Sequence, residues 1–401
     1  MSRTGTKVLG WVVAVAVLGA GCSGDDTSGS APPATVSYNV AEGLGSPAST
    51  LRAELTTLLQ EHAFLVTITT GTRLAGTDPA PAQAVLDQNS ADLAAEMTRL
   101  YGEATGSRFL DAWRRHAAGL VAFSDVAASP DKAVVAAAKA ALTAVQAEIT
   151  EVLNTANVQL TPDDLTDALS AYAGRVQAAV TAQAKKDGTA AAKVKEAAGG
   201  MKDLAIVLAA GTVKQKKDDV PGSLDAIGAV MRTSLSTELQ EHAYLAGILT
   251  AAMLGGGDTK GAGEVLDENS VELSRAIAAV YGEETGDGFL DLWRRHVGLL
   301  GEYALAAASN DQTGMQEARS GLDGYRSDLG TLLAGVNPKL TRTAVADDLG
   351  RHIDGLLAVV GAQAAKDPTQ VAKLREAARQ MPATGLRLAT GIAQQFPGKF
   401  G

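Results

Sequence analysis

The chain has 401 residues, of which 46% are hydrophobic, 20% charged and 4% aromatic, with one cysteine. This apolar fraction excludes a strongly disordered chain, and a single cysteine excludes an internal disulfide framework. The formal net charge is -10 and the 35 basic residues form no block, which argues against a surface that binds nucleic acid through its phosphates.

The N-terminus has the layout of a bacterial secretory signal. Arg3 and Lys7 precede an apolar run over residues 8–18, and three small residues then lead to Cys22. Cys22 in this context resembles the acylated cysteine of bacterial lipoproteins. The layout predicts a signal peptide over 1–21, lipid attachment at Cys22 and a polar, flexible tether over 22–50. A cleaved signal with an incidental cysteine is the alternative.

These features predict the location of the chain. Removal of Arg3 and Lys7 with the signal lowers the 35 basic residues to 33 against 45 acidic ones, a net charge of -12. Anionic lipid would repel such a chain, so the acyl group has to provide the attachment. We expect a lipid-anchored protein at the extracytoplasmic face of the bacterial cell membrane.

The rest of the sequence contains an internal repeat with a constant offset of 180 residues. Residues 59–65 recur almost unchanged at 239–245, and the segment around Trp113 recurs around Trp293. An unbroken register over about 150 residues indicates that a whole domain was copied. We predict two copies, over 51–214 and 231–401, joined by a linker over 215–230.

Each copy has the pattern of an all-α bundle. Apolar residues recur at three- and four-residue spacing in segments rich in alanine and leucine, without strand-like alternation. The expected architecture is two tandem homologous bundles of about six helices each. In the first copy we predict helices over 51–74, 80–101, 105–127, 131–154, 162–185 and 188–213.

All five histidines lie among apolar residues at helical spacing, so we expect their rings to face the core. They are His62 and His116 in the first copy and His242, His296 and His352 in the second. The first copy has Tyr172 where the second has His352. A buried imidazole needs a hydrogen bond or a metal for its ring nitrogens, and two interpretations follow.

In the first interpretation the second copy binds zinc, copper or iron. Its candidate ligands and supporting residues are His242, His296, His352, Glu241 and Asn269. The corresponding set in the first copy is poorer because it has only two histidines; it consists of His62, His116, Glu61 and Asn89. In the second interpretation, which the absence of Glu-x-x-His or His-x-x-x-His spacing favours, these residues form a polar network that fixes helix register. The two glutamates are expected to reach solvent.

Other charged residues at repeated positions have simpler explanations. We expect four aspartates to cap helices, where a carboxylate accepts from free N–H groups; they are Asp87, Asp267, Asp111 and Asp291. The pairs Arg114–Arg115 and Arg294–Arg295 are expected to cover apolar surface and pair with carboxylates rather than bind an anion.

The motifs of the second copy resemble those of a group of exported all-helical bacterial proteins. The resemblance rests on Glu241-His242, residues 267–270, Tyr281-Gly282, residues 293–296 and the C-terminal Gln395-Phe396-Pro397. It implies an exported helical fold and no particular chemistry.

We expect a non-enzymatic, membrane-tethered binding or interaction module, with its protein or small-molecule partner left open. The main alternative is a metalloprotein that uses the histidines of the second copy. An enzyme with a histidine as general base is a third hypothesis, and it requires a pocket that opens onto His116 or His296. The sequence contains no nucleophilic serine elbow or paired catalytic carboxylates.

Overall fold

A computed structural model describes residues 43–400. The predicted signal peptide, Cys22 and most of the predicted tether lie outside the described residues. Within 43–400 all regular elements are helices, so the predicted all-α class is confirmed. We call residues 47–215 the first half and residues 227–395 the second half.

The helices of the first half are α1 (Pro47–Leu74), α2 (Ala80–Tyr101), α3 (Glu103–Ala122), α4 (Lys132–Ala156), α5 (Pro162–Ala184), α6 (Ala190–Gly199) and α7 (Met201–Gln215), with a short 3-10 helix at Phe123–Asp125. The helices of the second half are α8 (Ile227–Gly255), α9 (Thr259–Tyr281), α10 (Glu283–Ser309), α11 (Gln312–Val336), α12 (Arg342–Ala364) and α13 (Gln370–Gln395). A short α14 (Pro397–Phe400) follows.

The helix bounds agree with the sequence predictions to within a few residues, with one difference in number. The helix predicted over 188–213 is divided into α6 and α7 at Gly199 and Gly200. Glycine is a poor helix former, and Gly200 also lies against Arg175, where a Cβ would come within 2.2 Å of Nη1. The corresponding α13 continues without a break, although it contains Pro382.

Glycines with a positive φ set the abrupt turns that begin α3 and α10. Gly102 has φ 89° and Gly282 has φ 91°, values that L side chains rarely adopt. Each glycine ends one helix and begins the next without a loop. These turns carry α3 and α10, with His116 and His296, back along the bundle.

One long helix lies at the centre of each half. In the first half α1 packs against α2, α3, α5, α6 and α7, and in the second α8 packs against α9, α10, α12 and α13. Because neighbours surround α1 and α8 on most sides, most residues of both helices are buried. His62 and His242 lie in the middle of these two helices.

The central helices α1 and α8 also pack against each other, and residues 180 positions apart meet across the contact. Phe64 of α1 stacks on Tyr244 of α8, with ring centroids 4.7 Å apart and planes at 10°. Arg52 donates to the carbonyl of Leu224 at 2.6 Å, and Arg232 donates to the carbonyl of Leu44 at 2.8 Å. The buried apolar side chains of both halves form one contiguous core.

The segments predicted as tether and linker are partly folded. Helix α1 begins at Pro47, where the Ser46 side chain accepts from the Ser49 N–H at 3.1 Å. Leu44 is buried, and Ala48 N–H donates to the carbonyl of Pro221 at 3.1 Å. Residues 47–50 of the predicted tether therefore belong to α1, and Pro221 of the predicted linker contacts the start of this helix.

Among the described residues one helix, α4, is long and apolar enough to cross a membrane by length and composition alone. It packs against α3 and α5, and most of its N-terminal part is exposed.

Candidate metal centre

Three helices of the second half bring the three predicted histidines together. His242 on α8, His296 on α10 and His352 on α12 are at most 1% exposed. Their ring centroids are 5.0, 5.5 and 6.0 Å apart, and a ligand nitrogen of each ring lies within 4.8 Å of the other two. The rings therefore converge inside the bundle, as their apolar neighbours in the sequence predict.

The closest approach within the cluster is between one nitrogen of His242 and one of His296. His242 Nε2 and His296 Nε2 are 3.1 Å apart. Two nitrogens bound at 2.0–2.1 Å to one tetrahedral ion would be about 3.3 Å apart. The separation therefore fits a hydrogen bond between the two rings and, after a small adjustment, a shared metal ion.

Several nitrogens of the cluster have no hydrogen-bond partner among the described residues. They are Nδ1 of His296 and both Nδ1 and Nε2 of His352. The Tyr325 hydroxyl, whose ring stacks on His296 at 4.7 Å, is also unpaired. Buried polar atoms are nearly always paired. The first half also leaves His62 Nε2, His116 Nδ1 and the Tyr172 hydroxyl unpaired, so the feature specific to the second half is His352, whose two ring nitrogens both lack a partner.

Burial keeps all three rings neutral. Desolvation lowers the pKa of His296 to about 3 and that of His352 to about 4, and it lowers the pKa of His242 well below its ordinary value. The neighbouring histidines lower the pKa of His242 and His296 further, because two charged rings would repel each other. Each neutral ring carries one nitrogen lone pair, which is the form that binds a metal.

Asn269 of α9 lies behind His242 with its amide group in a defined orientation. Its Nδ2 donates to the carbonyl of Glu238 at 3.0 Å and to Glu241 Oε1 at 3.2 Å. The remaining atom, Oδ1, is turned toward His242 and is not itself hydrogen-bonded. Trp293 donates from Nε1 to His242 Nδ1 at 3.3 Å.

His242 can therefore adopt either of two tautomers. With the proton on Nε2, Nδ1 accepts from Trp293 and Nε2–H donates to His296. With the proton on Nδ1, Asn269 Oδ1 is the available acceptor and Nε2 presents its lone pair to the centre of the cluster. The second tautomer is the one that a metal ion requires. It gains Asn269 Oδ1 as the acceptor behind the ring and gives up the hydrogen bond from Trp293.

The structure places Glu241 outside the cluster of rings. Glu241 is 5% exposed and Glu61 is 1% exposed, so the expectation that they reach solvent is wrong. The Oε1 atom of Glu241 accepts from Asn269 and lies 3.8 Å from Lys195 Nζ. Burial raises the pKa of Glu241 to about 8, against the opposing effect of Lys195. Asn269 therefore lies between the Glu241 carboxylate and His242, and the carboxylate accepts a hydrogen bond from the Asn269 amide.

The first half repeats this arrangement with fewer ligands. His62 Nδ1 lies 3.0 Å from Asn89 Oδ1, whose amide nitrogen donates to Glu61 Oε1 at 3.0 Å. Tyr172 takes the place of His352, with its ring 6.1 Å from His62 and 5.9 Å from His116. Protonated phenols are poor ligands, and burial raises the pKa of Tyr172 far above its ordinary value. The first half has two imidazoles where the second has three.

Some neighbours of the clusters could not be identified from the sequence. Trp113 donates to His62, and Trp293 donates to His242. Each tryptophan lies three residues before a core-facing histidine, His116 or His296, and this spacing could have placed it near the cluster. Gln146 lies 3.5 Å from His116 Nε2, whereas the second half has Tyr325 stacked on His296. Positions 145 and 146 correspond to 325 and 326, so no repeated residue marks either contact.

The arginine pairs bind carboxylates as predicted, and two of these carboxylates belong to aspartates that were expected to cap helices. Arg114 binds Asp87 at 2.5 Å and Arg294 binds Asp267 at 2.6 Å. The four aspartates that were expected to cap helices lie inside helices: Asp87, Asp267, Asp111 and Asp291. The capping prediction is wrong because all four helices, α2, α3, α9 and α10, begin several residues earlier than those positions.

No opening reaches the histidines in the part of the chain that the structure describes. His116 is fully buried and His296 is 1% exposed. A cavity of 20 Å³, large enough for about one water molecule, lies beside Trp293 and is lined mainly by apolar side chains, none of them a histidine. The pocket that a general-base enzyme requires is therefore not found at these rings.

Searches against family models, curated proteins and solved structures found no match for this chain.

Proposed function

We propose that this chain is a non-enzymatic, membrane-anchored binding protein whose ligand is a transition-metal ion, held by His242, His296 and His352. The convergence of three neutral, buried imidazoles with unpaired nitrogens supports the proposal. Imidazole nitrogens suit zinc, copper and iron. The sealed surroundings favour storage or sensing over turnover of a substrate.

Metal analysis of the chain purified without an affinity tag tests this proposal. We expect about one equivalent of metal per chain in the wild type and its loss in His296→Ala, because the site would keep two ligands. His116→Ala is the matched control, since it removes the corresponding ring of the first half. Two results would contradict the proposal: substoichiometric metal in the wild type even after loading with Zn²⁺, or an unchanged metal content in His296→Ala. Either result would favour the polar-network interpretation.

We further propose that the two halves are homologous domains that arose by duplication. Helices α4 and α11, and likewise α5 and α12, begin and end at residues 180 apart. Side-chain contacts repeat with the same offset: Asn157 Nδ2 donates to the Tyr101 hydroxyl at 3.1 Å, and Asn337 Nδ2 donates to the Tyr281 hydroxyl at 2.8 Å. Such agreement in both position and contact supports descent from one ancestral domain.

Attachment to the membrane is the third part of the proposal, and it rests on the signal-like N-terminus. A single acyl chain binds membranes only weakly, so stable anchoring implies more than one chain on Cys22. We expect Cys22→Ser to abolish incorporation of labelled palmitate and to move the protein from the membrane fraction to the soluble fraction. Unchanged labelling and fractionation would contradict the lipid anchor.

A further inference from the structure

In the first half a series of polar contacts connects the site histidine to a basic side chain of the second half. His62 Nδ1 lies 3.0 Å from Asn89 Oδ1, and Asn89 Nδ2 donates to Glu61 Oε1 at 3.0 Å. Arg375 of α13 donates to the same Glu61 oxygen at 2.7 Å, and its side chain is 8% exposed. The second half thus supplies the cation that neutralises a buried carboxylate of the first.

The second half contains a corresponding series, in which the first half supplies the cation. Asn269 lies behind His242 and donates to Glu241 Oε1, which is 3.8 Å from Nζ of Lys195 on α6. Lys195 occupies the position that corresponds to Arg375. Its ammonium group is held by Glu272, with Nζ 2.6 Å from Oε2, and its side chain is 16% exposed.

The cation matters because Glu241 is almost completely buried. Lys195 favours the charged carboxylate of Glu241, and without this cation the group takes up a proton more readily or turns toward water. Either change weakens or removes one of the two acceptors of Asn269 Nδ2, which leaves the amide less firmly oriented. The acceptor that favours the metal-binding tautomer of His242 would then no longer be fixed.

We propose that Lys195 is a positioning residue for His242, so that the first half completes the metal site of the second half. This inference rests on the proposed metal function. Lys195 fixes Glu241, Glu241 fixes the Asn269 amide, and the amide oxygen directs the Nε2 lone pair of His242 toward the bound ion.

The test is a titration of the full chain with Co²⁺, whose visible absorption reports the ligand geometry. Groups that orient metal-binding histidines typically contribute 10–100-fold in affinity, and we expect Lys195→Met to weaken Co²⁺ binding about tenfold. Lys195→Arg should retain most of the affinity. Arg375→Met is the matched control, because it removes the corresponding cation from the same interface and its polar contacts lead to His62. Its Co²⁺ affinity should equal that of the wild type.

Thermal unfolding separates positioning from a general loss of stability. Both methionine variants should lower the melting temperature, whereas only Lys195→Met should weaken Co²⁺ binding. Equal affinity of Lys195→Met and wild type, or an equal loss in Arg375→Met, would overturn the role of Lys195 and leave the metal site intact. A wild type that binds neither Co²⁺ nor Zn²⁺ would overturn the metal function itself.

A milder pair of variants covers the case in which Lys195→Met does not fold. Lys195→Gln removes the charge and keeps most of the length of the side chain, which is 16% exposed. Arg375→Gln is the corresponding control in the first series of contacts. We expect weaker Co²⁺ binding in Lys195→Gln alone; equal binding in both variants would contradict the proposal.

Discussion

Replacement of His352 by tyrosine should remove a defined part of the acid sensitivity of the metal-free chain. The first half already carries tyrosine at the corresponding position, where Tyr172 is fully buried, so the change copies a side chain that the fold accommodates. Burial lowers the pKa of His352 from 6.5 to about 4. Between these two values the unfolded chain binds a proton at this residue and the folded chain does not.

The sign and the magnitude follow from this difference. Stability falls as the pH decreases through this window, because protons favour the unfolded state. From pH 7 to pH 5, a histidine with these two pKa values lowers the free energy of unfolding by about 2 kcal/mol. The four histidines whose pKa burial lowers to about 3 or 4 would together lower it by about 8 kcal/mol, which is comparable to the whole stability of a typical domain.

Urea unfolding at pH 7 and pH 5, in the presence of a chelator and followed by circular dichroism, measures the effect. The pH-dependent loss of stability should be about 2 kcal/mol smaller in His352→Tyr than in the wild type, because tyrosine takes up no proton in this range. The carboxylates are the same in both proteins, so their contribution cancels in the comparison. The reciprocal variant Tyr172→His should show a larger loss than the wild type. An equal pH dependence in all three proteins would refute the conclusion that position 352 holds a neutral, buried imidazole.

Two further predictions concern packing. Phe64→Ala should lower the free energy of unfolding by about 3–5 kcal/mol, measured by urea unfolding, because the ring is fully buried and stacks on Tyr244; a loss below about 1 kcal/mol would show that the halves do not pack through this pair. Gly385→Ala should destabilise the chain in thermal unfolding, because its Cβ would lie 2.6 Å from the backbone nitrogen of Ser236, whereas Gly298→Ala meets open space and should raise the melting temperature.

The helices and the burial of the histidines could be predicted because both depend on local spacing. The recurrence of apolar residues around His62 and His352 shows which face of a helix is covered, whatever covers it. Gly102 likewise marks the end of α2, because glycine tolerates a positive φ there. Such signals lie within a few residues of the feature that they predict.

The contacts of Lys195 and Arg375 could not be predicted in this way. Glu61 lies 314 residues from Arg375 in the sequence, and its position beside His62 gave no sign of a buried cation opposite. The periodicity of a helix shows that a face is buried but not which helix buries it. Contacts between distant helices depend on how the two halves pack. The sequence repeat shows that the halves are similar, but it does not show which of their faces meet.

The contact between α1 and α8 has a consequence for how the protein tolerates dilution. When two similar units bind each other through equivalent residues, each unit uses the same surface. Neither surface then remains free to bind a third unit. When the two surfaces belong to separate chains, the pair dissociates at low concentration. The short connection from Gln215 to Ile227 instead holds them at an effective concentration of about millimolar, so the pair stays assembled however few molecules are present.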